Sequence, residues 1–360
     1  MAKNKLNNKN YWQKREEEKL NKGVKDCNKL ARDLEVQYKS ASQYIEKEIN
    51  SIFEKYAKDN NLTYSEASKY LKSDEYKVWR ADIKGYLEMI EADEKVLLEL
   101  NTLSAKSRIT RWEALKSEVD KALINLNKKA LKSTTELLTD TLVENYNTNA
   151  FNISKAIGYV ANLAGIDEKM IEDIWSYPWS GKDYSSRIWD NTAKLSDVLK
   201  EEMTQMIIRG EDSKAITSRI SQRVQSNYKE TMRLVQTEHS YIMSQANIMT
   251  YKELEVERYE FLATLDEKTC KICGEKDGKN FPVNEAQAGE NQAPMHPNCR
   301  CTEIIYYDDE DDGQRFARLK NGKKIDVPAK MKYEEFKKLY LDWLKLWSFF
   351  FYCLFTCYRH

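Results

Sequence analysis

The sequence predicts a mainly α protein: a long N-terminal helical hairpin or bundle, a helical middle region, and a small α+β module near the C-terminus. Three observations carry this. Turn residues are scarce, with only 11 Gly and 5 Pro in 360 residues, which favours long helices. Apolar residues recur at steps of three or four through the first half of the chain, the period of one buried helix face. After Glu255 the spacing changes to strand-like alternation around a cluster of cysteines. The length suits two or three domains. We divide the chain into an N-terminal long-helix domain over 1–150, a helical middle region over 151–260, an α+β module over 261–307 and a C-terminal tail over 308–360.

The first helix carries Leu20, Val24, Cys27, Leu30, Leu34, Tyr38, Ala41, Ile45, Ile49, Ile52 and Tyr56 on one face. Such a face is longer than a compact domain needs and predicts a coiled-coil-like hairpin or a docking arm. Asn60 to Thr63 breaks it, and Thr63 with Glu66 has capping-box spacing. Further helices carry Trp79, Ile83, Tyr86, Leu87 and Ile90, then Leu97 and Leu100, then Trp112 through Leu142 almost without a breaker. A small-residue helix is expected from Ile153 to Ala164. Ile174 to Tyr184 reads as an aromatic-rich loop punctuated by Pro178 and Gly181. Helix resumes at Ile188 and stops at Gly210. Ser213 caps a helix with Ile216, Ile220 and Val224, and another holds Met232, Val235, Ile242, Ala246 and Met249. Val256 to Thr264, Phe281 to Val283 and Cys301 to Tyr307 read as strands, Asp277-Gly278-Lys279 as a turn, and Val327 to Phe336 as an extended piece followed by a short helix.

Lys plus Arg and Asp plus Glu are both 58, so the net charge is zero and bulk attraction to nucleic acid is not expected. The basic stretch from Lys3 to Lys29 is broken by Glu16-Glu17-Glu18 and reads first as a solvated helix face, with DNA or partner contact as the sharper alternative. No internal run is long enough to span a membrane, and no signal-like apolar stretch follows Met1. The apolar stretch Leu346 to Tyr358 is a packing segment, a membrane-inserting tail, or with Cys353, Cys357 and His360 a second metal site; nothing is built on it.

Cys270-Lys-Ile-Cys273 and, 22 residues on, His296-Pro-Asn-Cys299-Arg-Cys301 gather four of the seven cysteines and one of three histidines. CxxC and HxxC pairs at this spacing suit a tetrahedral, structural Zn²⁺ site. A disulfide framework, a reactive cysteine and chance clustering are the alternatives. Five candidates compete for four places. Cys270, Cys273, His296 and Cys299 form two matched pairs, and Cys301 could replace His296 or Cys299. There is no His-Glu-x-x-His and no His-x-Glu before Pro-Cys-x-x-Cys, so a catalytic zinc is not expected. The metal would act as a staple whose binding energy, on the order of ten kcal/mol in small zinc modules, becomes local folding energy. No complete nucleophile–base set is present either, and an enzyme is not expected.

Several stretches in order then resemble one family. They are Trp179-Ser-Gly with Ser186-Arg-Ile, Ile208-Arg-Gly-Glu-Asp-Ser, Arg233-Leu-Val-Gln-Thr-Glu238, Ala263 to Cys273, Asp277-Gly-Lys-Asn-Phe281 and Pro294 to Cys301. The series resembles the minor head, or head-morphogenesis, proteins of tailed bacteriophages, similar to the Mu protein F-like family, most closely over 175–305. Tyr11-Trp12-x-Lys-Arg15 and the helical N-terminal part look like the version carried by phages of Gram-positive hosts. The motif positions are Thr237, Glu238, Asp266, Thr269, Cys270, Cys273, Asp277, Gly278, Lys279, His296, Cys299 and Cys301. His239 and Tyr241 depart from the small or basic residues relatives commonly carry there.

The resemblance implies a capsid component inside the head near the portal vertex, acting in assembly and in DNA packaging or ejection. The portal protein is the implied partner, with scaffold or major capsid protein and phage DNA as further candidates and no membrane; host cytoplasm is the site of assembly. Residues 306–360 are too short for the toxin domain that some related chains append. From the residues themselves, Glu238 is expected to hydrogen-bond a backbone or basic partner and fix its helix to the module. Asp266 should order a turn, and Arg300 should screen thiolate charge or touch DNA phosphate. The alternative function is a zinc-containing DNA-binding or DNA-processing protein, which predicts binding that weakens steeply with salt.

Overall fold

The computed structural model describes residues 9–59, 63, 111–157, 165–208, 213–307 and 313–341. The elements in order are α1 (Lys9–Asp59), α2 (Arg111–Ile157), α3 (Glu168–Ser176), α4 (Tyr184–Ile208), α5 (Ser213–Glu253), β1 (Arg258–Leu262), α6 (Lys271–Lys276), β2 (Asn280–Pro282), β3 (Thr302–Ile305), β4 (Gln314–Arg318), β5 (Lys324–Pro328) and α7 (Tyr333–Phe336). The mainly α expectation holds, with a few strands confined to the C-terminal side. The helices expected between 66 and 100 and the apolar stretch 346–358 lie outside the described residues. Among the described residues, no helix is long and apolar enough to cross a membrane.

The long helices run further than their periodicity suggested. α1 begins at Lys9 rather than near Leu20. Its buried face carries Leu30, Leu34, Tyr38, Ile45 and Ile49, as expected, but Val24 is 54% exposed. The neighbouring Gly23 takes the inward position, because a Cβ there would lie 2.4 Å from the His239 ring. The expected separate helix at Ile153 is the last part of α2, and the two helices expected on either side of Val224 are one, α5, since nothing in Gln225 to Thr231 interrupts the pattern. Ile174 to Ser176 belong to α3, not to a loop. Asp167 caps that helix by accepting from the Met170 amide at 2.7 Å.

Two compact units are present, and neither follows the sequential division into domains. Asn28–Glu136 with Lys182–Val235 form one; Met1–Cys27, Leu137–Gly181 and Gln236–His360 form the other. A helix longer than a unit contributes residues to both, so boundaries drawn along the chain miss them.

The described residues of the first of these form a helical bundle in which α1 is one member rather than a free docking arm. Tyr38 buries its hydroxyl against Asn227 Oδ1 at 3.1 Å and Thr231 Oγ1 at 2.8 Å. Asn127 donates to Thr192 at 2.7 Å, and Tyr228 donates to the Ala31 carbonyl at 3.0 Å. The Tyr38 and Tyr228 hydroxyls and the Asn127 amide nitrogen are thereby paired, which offsets the cost of their desolvation.

The second unit is α+β. β1 is the centre of an antiparallel sheet of order β2-β1-β3, with Tyr259 opposite Phe281 on one side and Ile305 on the other. Trp12, Ile153, Ile248, Tyr251, Tyr259, Leu262 and Ile304 form its helix-facing core. The hairpin β4-β5 and α7 build a second core from Leu265, Ala317, Val327, Tyr333 and Phe336. Residues 313–341 are therefore part of the module and not a separate tail: the Arg318 amide donates to the Leu265 carbonyl at 2.8 Å.

His239 sits buried in this unit against Gly23, and burial pushes its pKa down to about 4. A neutral native imidazole that must charge in the unfolded chain destabilises the fold as pH falls from the ordinary value near 6.5 towards 4. His239→Gln should remove roughly 3 kcal/mol of that acid sensitivity. Chemical denaturation of parent and variant at pH 7 and pH 4.5 measures the difference; parallel pH profiles would contradict it.

Candidate metal centre

The sheet carries the cysteine cluster on strand ends and short turns. Cys270 is the N-cap of α6, accepting from the Cys273 amide at 3.4 Å, so the first turn of the helix presents both thiols on one side. β3 starts after Cys301, and Thr264 Oγ1 donates to the Arg300 carbonyl at 2.5 Å, tying the approach to β3 to the end of β1. Phe261, Ala263, Cys273, Ala293, Cys299 and Cys301 pack together beneath it.

Every sequence-predicted ligand arrives at this place. Cys270, Cys273 and His296 form one group within mutual reach, and Cys273, Cys299 and Cys301 form another. Cys273 belongs to both. Its Sγ lies 3.3 Å from His296 Nε2 and 3.8 Å from Cys299 Sγ. The other ring nitrogen, His296 Nδ1, is 2.8 Å from the Pro297 carbonyl. Bonded there it carries the proton, which leaves the Nε2 lone pair directed at the thiols. Hydrogen bonds from Cys273 and Cys301 pull the Cys299 thiol pKa well down, and the same bonds, with burial, push those two up. The cysteines are free thiols and not disulfides. This set of sulfur and imidazole donors could hold a metal ion.

Around the cluster, most family-motif residues have a definite contact. Asp266 accepts from the Lys268 amide at 2.9 Å and from Arg300 Nη2 at 2.8 Å, and a second Arg300 nitrogen bridges to its other oxygen. Burial alone would raise the Asp266 pKa, but the Arg300 guanidinium holds it below the usual carboxylate range. Arg300 is thus committed to Asp266 beside the cluster, where the charges of Cys301 and Cys299 also favour its cation. Thr269 bonds back to the Thr264 carbonyl. Thr237 Oγ1 accepts from the Asn298 amide at 3.0 Å, so it is Thr237 that ties α5 to the His296–Cys299 loop. Its neighbour Glu238 turns the other way and accepts from Trp179 Nε1 at 3.0 Å. An indole is thus one partner of Glu238. Gly278, at φ +73°, takes a left-handed turn that only glycine adopts without strain, and Lys279 is exposed beyond it.

Asp277 is more than a turn residue. Its buried carboxylate meets Arg315 of β4 at 3.0 Å and also accepts from the amides of Ala263 at 2.9 Å and Tyr333 at 2.7 Å. Arg315 Nη2 donates in turn to the Ala263 carbonyl at 2.5 Å. Tyr333 lies flat on Gly274, where a Cβ would sit 2.2 Å from the ring. Arg315 and Tyr333 escaped the sequence reading. Their only signal was a charged residue in an alternating Gln-Arg-Phe-Ala-Arg run and a glycine directly after the CxxC pair.

A buried polar network lies behind β3. Glu303, fully buried, accepts from Ser244 Oγ at 2.8 Å and the Ala293 amide at 2.6 Å, and burial raises its pKa to about 8. Asn247 donates to Thr302 Oγ1 at 3.2 Å and accepts from Lys19 at 2.7 Å and Asn149 at 2.8 Å. Glu16 pairs with Lys19 and accepts from Thr302 at 3.0 Å. Two of the acids that interrupt the basic N-terminal stretch, Glu16 and Glu17, therefore make inward contacts, Glu17 accepting from the Phe316 amide at 2.7 Å, while Glu18 is exposed and pairs with Arg15.

Removing one member of a buried ion pair leaves the other charged and unpaired, at a cost of about 3–5 kcal/mol. Arg315→Leu should lose that much stability and expose β4, β5 and α6 to hydrogen exchange, whereas the double change with Asp277→Leu should recover part of it. Unchanged exchange in Arg315→Leu would contradict the role given to the pair.

Residues 197–304 match the family model described as Phage Mu protein F like protein. The stretch runs from α4 through β3 and contains all five metal-ligand candidates. The resemblance to phage head-morphogenesis proteins holds over it; the Trp179 and Ser186 motifs fall just before its start. A curated relative, NAD(+)--arginine ADP-ribosyltransferase EFV of Enterococcus faecalis (strain ATCC 700802 / V583), is 22% identical over 248 residues, 65% of this chain and 50% of the relative. The chain spans about half the length of that relative. No solved structure matches it.

Proposed function

We propose that this Mu F-like chain is a minor head component of a tailed phage or prophage. It acts close to the portal, during head assembly and DNA packaging or ejection, and works by contact rather than by catalysis. The observation that carries this reading is the coincidence of the family match with the donor cluster and its supports. The matched residues go into holding a small module rigid on α5. Two carboxylates of the motif are engaged in ion pairs, Asp266 with Arg300 and Asp277 with Arg315. The relative's transferase name is not carried over, because only half of that protein corresponds to this chain.

Sulfur and imidazole donors are the types that suit Zn²⁺. A zinc–sulfur bond of about 2.3 Å gives a tetrahedral sulfur–sulfur edge of about 3.8 Å, and Cys273 and Cys299 stand 3.8 Å apart. Cys270, Cys273, His296 and Cys299 would hold the ion, with Cys301 as the donor in reserve. Bound there it supplies a crosslink between α6 and the His296–Cys301 loop and no reaction chemistry. Phage DNA remains a possible further partner; with Arg300 engaged by Asp266, that contact would fall to other cations.

A chain tagged at one end should co-purify in fixed stoichiometry with the portal protein encoded by the same genome, and should be found by mass spectrometry in purified heads. Heads that lack it would overturn the reading.

A further inference from the structure

We propose that α3 is a docking element whose apolar face enters a groove, apolar within and basic at its rim, on a partner protein. Nine residues make a helix too short to be stable by itself in water, and such helices normally persist by burying one face. α3 buries none of its residues. Met170, with the half-buried Ile171 and Ile174, nevertheless falls at the spacing of a single stripe, and Tyr177, the extended C-cap residue and 60% exposed, continues the apolar surface past the helix end. Met170 is 39% exposed. Anchors at such spacing are how an amphipathic helix is read by a groove.

Charge decides the kind of partner. Around the stripe stand Asp167, Glu168, Glu172 and Asp173 against Lys169, four carboxylates to one ammonium, a net charge of −3. That disfavours DNA and anionic membrane surfaces, both of which would be repelled, and suits a rim of Lys and Arg. The helix is also held at its root. Trp179 stacks on Tyr241 with centroids 5.1 Å apart and donates to Glu238, so the stripe is presented from a fixed point on α5. The motif residue Glu238 then acts as a positioning residue for the docking helix.

The inference rests on the head reading and names the surface through which the chain is recruited. The test places Ile174→Glu, and separately Glu172→Lys with Asp173→Lys, in the phage or prophage genome. Copies of the chain per purified head are counted by quantitative mass spectrometry. None of the α3 residues is fully buried, so both variants should purify with parental helix content and thermal stability. The expected result is a fall of about tenfold or more in incorporation for each. Parental incorporation of Ile174→Glu would overturn the inference while leaving the head reading intact. A parental chain missing from heads would instead overturn the head reading, and the inference with it. If the purified parent self-associates and Ile174→Glu abolishes that, the occupant is a second copy, and the basic-rimmed partner is wrong.

Discussion

Convergence of four donors on a fifth, the Cys273 thiol, is the constraint on which the rest of the module depends. Cys273 stands at the junction of both donor groups. For that to hold, the first turn of α6 and the loop from His296 to Cys301 must be kept at fixed separation, although they lead into different edge strands, β2 and β3. The neighbouring contacts each secure one of these two pieces. Asp277 with Arg315, and Gly274 under Tyr333, hold α6 against the β4-β5 hairpin and α7. Asp266 with Arg300, and Thr237 with the Asn298 amide, hold the loop. Like charges on close thiolates repel, and buried ones lack solvent; a cation among them, or shared protons, relieves both.

The helices supply the mount. α5 offers adjacent residues to two different tasks: Thr237 to the donor loop and Glu238 to Trp179 at the root of α3. Behind β3, Asn247 and Lys19 join α5, α2 and α1 through paired polar groups rather than apolar packing alone. Buried networks of this kind are costly when half satisfied and fix one arrangement when complete. A contact protein gains from such rigidity, because a surface held in one geometry loses less entropy on docking.

Local signals were legible and long-range ones were not. The CxxC and HxxC pairs could be read as one site because each pair closes over two intervening residues. The buried face of α1 followed its period, apart from Val24, where Gly23 gives way to His239. α3 was hidden among Trp, Tyr and Pro residues that read as a loop, while its Asp167 cap was the overlooked start signal. Arg315 was out of reach in another sense: its partner Asp277 is 38 residues away, and no periodicity links them. The expected tail boundary failed for the same reason, since the hairpin's value to the module lies in contacts with Leu265, Asp277 and Gly274. The two compact units were likewise invisible to a linear division, because helices longer than a unit belong to both.

In the function proposed above, a metal ion staples α6 to the His296–Cys301 loop. Metal content of the full chain purified without added metal, followed by hydrogen exchange before and after chelation, tests it most directly. The account predicts one zinc per chain. It also predicts that chelation speeds exchange across β1, α6 and β3, while the part of α1 that packs in the helical bundle stays protected. A metal-free chain whose module is already fully protected would contradict it.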